Sequence, residues 1–157
     1  MTTSMSIPIS QTLYDQARSA ARAAHRTTAG QVEYWAKIGH TALDNPDLPI
    51  GFIVESLASL AEPREDDMPF RAEASAAMSY RLKQTRRFSR IYKALHGNVA
   101  AEVDAATDAI AEDPSVGERR QGDLAALFIY RLHSRNQCYL LGYAVHYDIR
   151  LVYLEAM

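Results

Sequence analysis

Residues 1–43 offer one short strand and two helices, too little apolar surface to close around a core of their own. Met5, Ile7 and Ile9 alternate with Ser4, Ser6, Pro8 and Ser10, the period-two spacing of a strand with one buried face. Ser10 or Thr12 then opens a helix, Thr12 with Asp15 having the capping-box spacing. Leu13, Ala17, Ala20, Ala21 and Ala24 share one face of that helix. The face is narrow and built of small side chains, so a neighbouring backbone has to approach closely. Thr27 and Thr28 supply hydroxyls for the start of a second helix, whose apolar set is Val32, Trp35, Ala36, Ile38 and Ala42. It is expected to end between Asp44 and Pro46, because the residue before a proline disfavours the helical region. A unit of roughly 40 residues buries too little surface to stand alone, so the pattern demands a partner, and a second copy supplies one.

Two such strands paired antiparallel over four helices form a ribbon-helix-helix dimer. In that arrangement the outward strand residues Ser4, Ser6 and Pro8 enter the DNA major groove. Thr27 and Thr28, with the amides that open the second helix, face the phosphates. The stretch SIPISQTLYDQARSAARAAHRTTAGQVEYWAKIGHTALDNPDLP resembles the ParD-like antitoxins, whose core stands here as HRTTAGQVEYWAKIG, residues 25–39. The resemblance spans residues 1–60 and implies a homodimer that binds operator DNA weakly.

Charge divides the chain more sharply than its total of −2 over 157 residues suggests. Residues 44–70 hold seven acids (Asp44, Asp47, Glu55, Glu62, Glu65, Asp66, Asp67) against Arg64 alone. Residues 81–93 hold six cations (Arg81, Lys83, Arg86, Arg87, Arg90, Lys93) and no anion. The acidic middle is expected to lie against the basic surface, or the basic surface to meet a polyanion; solvated faces with no partner are the third reading. The length fits one domain or two small ones and excludes a large multi-domain enzyme. No apolar window approaches the ~18 residues of a membrane span, and the first residues form no leader, so a cytoplasmic protein without membrane contact is expected. Cys138, the single cysteine, excludes an internal disulfide; its apolar surroundings, CYLLGYAV, predict a buried structural thiol. The five histidines show no metal-binding spacing, and neither metal nor cofactor is expected.

Between Leu48 and Leu60, Ile50, Phe52, Ile53, Leu57 and Leu60 recur at helical spacing, which predicts a short amphipathic helix before AEPREDDMP stops it. Resemblance to the antitoxins makes residues 48–76 the segment that docks on a toxin, with these five residues as its contact face.

From residue 77 the pattern changes. Met78, Tyr80 and Leu82 mark a strand. Phe88, Ile91, Tyr92 and Leu95 mark a helix that Gly97 ends, and Val99, Val103, Ala106, Ile110 and Ala111 mark a second. Three β-rich runs follow, LAALFIYRL, QCYLLGYAV and IRLVYLEA, separated by HSRN and HYD. Such short links imply antiparallel neighbours with the helical hairpin on one face, an α+β fold. TRRFSRIYKALHGN and DPSVGERRQGDLAALFIYRL then resemble the opening helix and central signature of the RelE/ParE toxin superfamily. Some relatives cleave messenger RNA on the ribosome and others inhibit DNA gyrase. By resemblance Arg119 and Arg120 match the paired cations before Gly122, and Arg131 the cation that ends the following strand. Arg135 and Tyr139 on the next hairpin complete the candidate catalytic set. Guanidinium groups suit the task, because in-line attack on phosphate builds charge that they stabilise without a metal. The family's tail after IRLVYLEAM, which supplies further His and aromatic residues, has no counterpart before Met157, so a C-terminally truncated and silent toxin-like domain is expected. The expected organisation is therefore a DNA-binding and dimerisation unit (1–47), an acidic docking segment (48–76) and a toxin-like domain (77–157). The alternatives are an active ribosome-dependent endonuclease held inhibited in cis, or a gyrase-inhibiting toxin.

Overall fold

A computed structural model of the chain describes residues 3–64, 68–70 and 79–147, and the backbone alone of residues 151–156. The chain divides into two compact units, Met1–His40 and Thr41–Met157.

The first unit holds α1 (Gln11–Ala23) and the greater part of α2 (Thr28–Asp44). Both helix starts are capped by side chains the sequence singles out. The Ser10 hydroxyl accepts from the Leu13 amide at 3.3 Å, and the Thr27 hydroxyl accepts from the Gly30 amide at 3.0 Å. Ala17 and Ala21 are buried, as the small-residue face requires. Much of the apolar set is left open: Leu13, Tyr14 and Trp35 are exposed, and Ala20, Val32 and Ile38 are only partly covered. The strand expected over Met5–Ile9 is not formed. Residues 3–10 carry no strand pairing within this chain, and Met5 and Ile7 are 86% and 77% exposed. A strand exists only through its ladder, and a single copy of the unit supplies no second edge.

The second unit begins with the last turn of α2. Asn45, buried, closes that turn: its side-chain amide donates to the Thr41 carbonyl at 3.0 Å and to the Gln121 carbonyl at 3.4 Å. Then follow α3 (Ile50–Ala61), β1 (Met68–Pro69), β2 (Arg81–Gln84), α4 (Arg86–Lys93), α5 (Gly97–Glu112), β3 (Glu118–Arg119), β4 (Phe128–Ser134), β5 (Gln137–His146) and β6 (Leu151–Ala156). The strands make one sheet in the order β1-β2-β6-β5-β4-β3. The architecture is α+β, with the β4-β5-β6 meander antiparallel as expected. The sheet is nevertheless mixed, since β2 runs parallel to β6. A parallel neighbour requires a long crossover, and α4, α5 and the meander together provide it.

Alternation along β4 gives the sheet two apolar faces. Phe128, Tyr130 and Leu132 point to the side where Phe88, Val99, Val103, Ala106 and Ile110 of α4 and α5 form one core. Ile129 points to the other side, where it meets Leu124, Leu127 and the α3 residues Phe52 and Ile53. Between β4 and β5 the turn is Arg135-Asn136, both with positive φ (47° and 66°), the two-residue turn whose twist suits a hairpin. Tyr143 anchors the first core. Its hydroxyl donates to the Pro114 carbonyl at 2.6 Å and accepts from the Gly117 amide at 3.0 Å, and burial pushes its pKa up to about 12. A side chain at position 117 would overlap the phenol, so only glycine allows this approach.

Three local expectations are corrected. Gly97 does not end α4, which stops at Lys93; it is instead the first residue of α5, after a three-residue turn. The run LAALFIYRL becomes strand only from Phe128, because Gly122–Leu124 forms a 3-10 turn. Cys138 is exposed, not buried: it pairs with His133 at the hairpin end, beyond the apolar part of either face. Met78 of the expected strand, and residues 65–67 and 71–76 of the expected docking segment, lie outside the described residues. No described helix is long and apolar enough to cross a membrane.

Candidate functional site: an arginine face closed by α3

Three elements place cations on the α3 side of the sheet. In the β3–β4 pairing Glu118 stands opposite Ile129, and the Arg120 amide donates to the Leu127 carbonyl at 3.0 Å. Glu118, Arg120 and Arg131 therefore share the face of Ile129. Residues 45–49, between α2 and α3, lay Asp47 across them. Arg120 Nη1 donates to both Asp47 oxygens, at 2.8 and 2.9 Å, and Arg131 Nη2 donates to Asp47 Oδ2. Glu118 adds a second carboxylate, 2.7 Å from Arg120 Nη2 and 3.8 Å from Arg131 Nη2. The Arg120 side chain is only 10% exposed under this cover.

Behind Asp47, α3 seats its apolar face on the sheet. Ile53 is fully buried and Phe52 nearly so, with Leu57 and Leu60 packed around the same cluster. Ile50, at the first position of the helix, is 63% exposed and stands outside the cluster. Gly142 of β5 makes the seat. A Cβ there would lie 3.1 Å from the Phe52 ring and 3.4 Å from Leu127, so the missing side chain is the space that Phe52 fills. The far end of α3 is held by a second ionic group: Arg87 of α4 donates to Glu55 at 3.1 Å and to Glu62 at 2.6 Å. Burial pulls the Arg87 pKa down, but its two carboxylate partners outweigh that and leave it above its ordinary value. Ser59 reaches Thr85, the α4 cap, at 3.2 Å. Beyond α3, Pro69 pairs with Lys83, and Phe70 is buried edge-to-face between Phe88 and Tyr92, with centroids 5.6 and 5.0 Å apart.

Residues 4–77 match the ParD-like antitoxin of type II bacterial toxin-antitoxin systems, and residues 82–157 match the ParE-like toxin of the same systems. The chain carries a ParD-like antitoxin domain followed by a ParE-like toxin domain. Searches of the curated proteins and of the solved structures found no match. The antitoxin match thus extends through α3, β1 and Phe70, which pack into the same compact unit as the ParE-like strands.

Within that unit the candidate residues separate. Arg120 and Arg131 converge on Asp47. Arg119, between Glu118 and Arg120, pairs with Phe128 and turns to the opposite face. Arg135 sits in the hairpin turn, where its Nε lies 3.0 Å from the Asn98 amide. The Tyr139 hydroxyl donates to Gln137 at 3.2 Å and does not join the cluster. In the antitoxin's first unit, Ser4, Ser6 and Pro8 are exposed on the unpaired segment, Thr27 is the α2 cap, and Thr28 begins the helix. Sequence reading placed Asp47, Glu55 and Glu62 in the acidic middle without singling them out, and it missed Phe70 and Gly142. Asp47 carries no pattern beyond its place among the acids, and Gly142 shows only as an isolated glycine within a strand run, the usual mark of a close approach.

Partial burial raises the Asp47 pKa, but the Arg120 hydrogen bond and charge, a backbone hydrogen bond and Arg131 outweigh it, so the net shift is below the ordinary 3.8. A carboxylate whose folded pKa is depressed contributes its stability above the unfolded value and loses it as pH falls through the folded one. The Asp47 contact is therefore expected intact at neutral pH and lost only below pH 3.8. Carboxyl-carbon NMR titration checks this: a midpoint at or above 3.8 in the intact chain contradicts the ion pairs, and Arg120→Gln should move the midpoint upward. With the Asp47 side chain 43% exposed, the pair contributes about 0.2–1 kcal/mol to stability, so its main effect is on the charge of the face.

Proposed function

We propose that this toxin-antitoxin fusion is self-masked: Asp47 and α3 of the antitoxin hold the arginine-bearing face of the ParE-like domain closed, and the N-terminal unit pairs with a second copy to bind DNA. The observation that carries the masking is one carboxylate gripped by two guanidinium groups, Arg120 and Arg131, on the sheet face that α3 covers. Two adjacent guanidiniums form a site for a phosphodiester, and a carboxylate placed between them competes for the same donors. Covalent linkage favours this closed state further, because the mask is always present at high effective concentration. Met5, Ile7, Leu13, Tyr14 and Trp35, exposed on a unit whose buried core is little more than two alanines, support pairing with a like unit into a ribbon-helix-helix dimer. Thr27, Thr28 and the open start of α2 are then the phosphate contacts.

Two measurements test the reading. Light scattering should give twice the 17.5 kDa chain mass, and the intact protein should shift DNA from upstream of its gene in a salt-sensitive manner; no shift at low salt rejects the DNA-binding part. Expression of the intact chain should leave growth normal. In an Ile53→Asp chain, arrest with cleaved messenger RNA identifies a nuclease and arrest with blocked supercoiling a gyrase inhibitor. Normal growth with an open α3 identifies a silent domain held as a scaffold.

A further inference from the structure

Asp47 is not the only carboxylate on the arginine face. Glu118 Oε2 lies 2.7 Å from Arg120 Nη2 and 3.8 Å from Arg131 Nη2, so two guanidiniums meet two carboxylates and the closed group is neutral. The two acids come from different partners of the fusion. Asp47 belongs to the antitoxin match and leaves with α3, whereas Glu118 stands on β3 of the ParE-like domain, two residues from Arg120, and stays behind. The opened face is therefore not a pair of bare cations: two guanidiniums against one carboxylate leave a net charge of +1, and Arg120 Nη2 remains taken. Asp47 vacates one donor on each arginine, Arg120 Nη1 and Arg131 Nη2. A group that fits in its place carries one negative charge shared by two oxygens. An internal phosphodiester has that form, with two non-bridging oxygens and a single charge. A terminal phosphate has three oxygens and a charge of about −1.5 to −2 near neutral pH, so its third oxygen meets the Glu118 carboxylate instead of a donor.

We propose that Glu118 is the specificity-determining residue of this face: once α3 lifts, it selects the internal phosphodiester of a nucleic-acid chain and rejects a terminal phosphate. This selection rests on the masking reading, because Asp47 has to leave before the site opens. Two arginines alone would hold the more highly charged ester better, since attraction grows with charge. With Glu118 beside them, like-charge repulsion reverses the order.

NMR titration of the full chain tests the assignment in two backgrounds: Asp47→Ala, which removes only the covering carboxylate, and Ile53→Asp, which releases α3. The probes are the dinucleotides TpT and UpU, each with one internal phosphodiester on a DNA or an RNA backbone, and thymidine monophosphate with one terminal phosphate. In both backgrounds the dinucleotides should bind ~threefold or more tighter than the monophosphate, and the tighter of the two names the polymer. Adding Glu118→Gln should invert the preference, strengthening the monophosphate ~tenfold or more and the dinucleotides less. Adding Arg131→Gln should weaken all three probes. Preference for the monophosphate while Glu118 is present, or a preference unmoved by Glu118→Gln, overturns the proposal and leaves the mask standing. Binding to the unsubstituted chain as tight as to both variants means that Asp47 covers nothing, and the mask falls together with the proposal. Absence of binding by every probe at millimolar concentration in both backgrounds also overturns it, and α3 amide exchange then decides whether the mask stands.

Discussion

In an Ile53→Asp chain, α3 is expected to leave the sheet while the helical hairpin on the opposite face stays folded. Ile53 is fully enclosed by Leu124, Leu127 and Ile129, and a carboxylate placed there has no cation within the cluster to meet it. Burying an unpaired charge costs more than opening a twelve-residue helix held on one side, so the helix should open. The milder Ile53→Ala calibrates the effect, since emptying a closed aliphatic site costs about 2–5 kcal/mol, a factor of ~30 or more in the opening equilibrium. Hydrogen exchange reads it directly. Amides of α3 should exchange at least ~30-fold faster in Ile53→Ala, and those of α5, whose Val99, Val103 and Ile110 belong to the other core, should hold their protection. Unchanged α3 exchange in both variants would mean that the apolar seat does not hold the helix, and the masking reading would fail with it.

What the sequence made legible and what it hid follow one physical division. Periodicity reports which residues share a face, so α3 and the stripe Val99, Val103, Ala106, Ile110 and Ala111 were readable, all five of the latter being buried. Local capping chemistry was equally readable at Ser10 and Thr27. Periodicity does not report which faces meet. Arg119, Arg120 and Arg131 read as one cationic group, yet strand alternation sends Arg119 to the opposite face and leaves Arg120 and Arg131 under Asp47. Phe70 is a lone apolar residue after an acidic run, and its burial between Phe88 and Tyr92 depends on a two-residue edge strand that no pattern of period two can announce. Cys138 erred the other way, since an apolar neighbourhood in sequence does not cover a residue at the turn end of a hairpin. The Met5–Ile9 alternation is real, but residues 3–10 form no strand in the chain as described.

Gly142→Val should displace α3 by filling its seat, and Phe52→Ala should restore much of the loss. Gly142 has no positive φ, so valine meets no backbone obstacle on β5, where β-branched residues are favoured. The obstacle is Phe52. A Cβ alone comes within 3.1 Å of the ring, and the two further methyl-type carbons of valine occupy space the ring now holds. Overpacking of this kind costs about 1–3 kcal/mol. Here the strain has an outlet, since α3 can lift while the sheet keeps its pairing with β4. Shortening Phe52 alone leaves an empty dimple and also weakens docking. The two losses are not independent: in the double variant the valine fills what the phenyl ring vacates, giving a coupling of about 0.5–3 kcal/mol in favour of the pair. Exchange rates of α3 amides in the four chains measure that coupling. If the two effects simply add, Phe52 does not sit over Gly142 in solution. A strong coupling places the antitoxin helix on the ParE-like sheet through a contact that neither half of the fusion makes by itself.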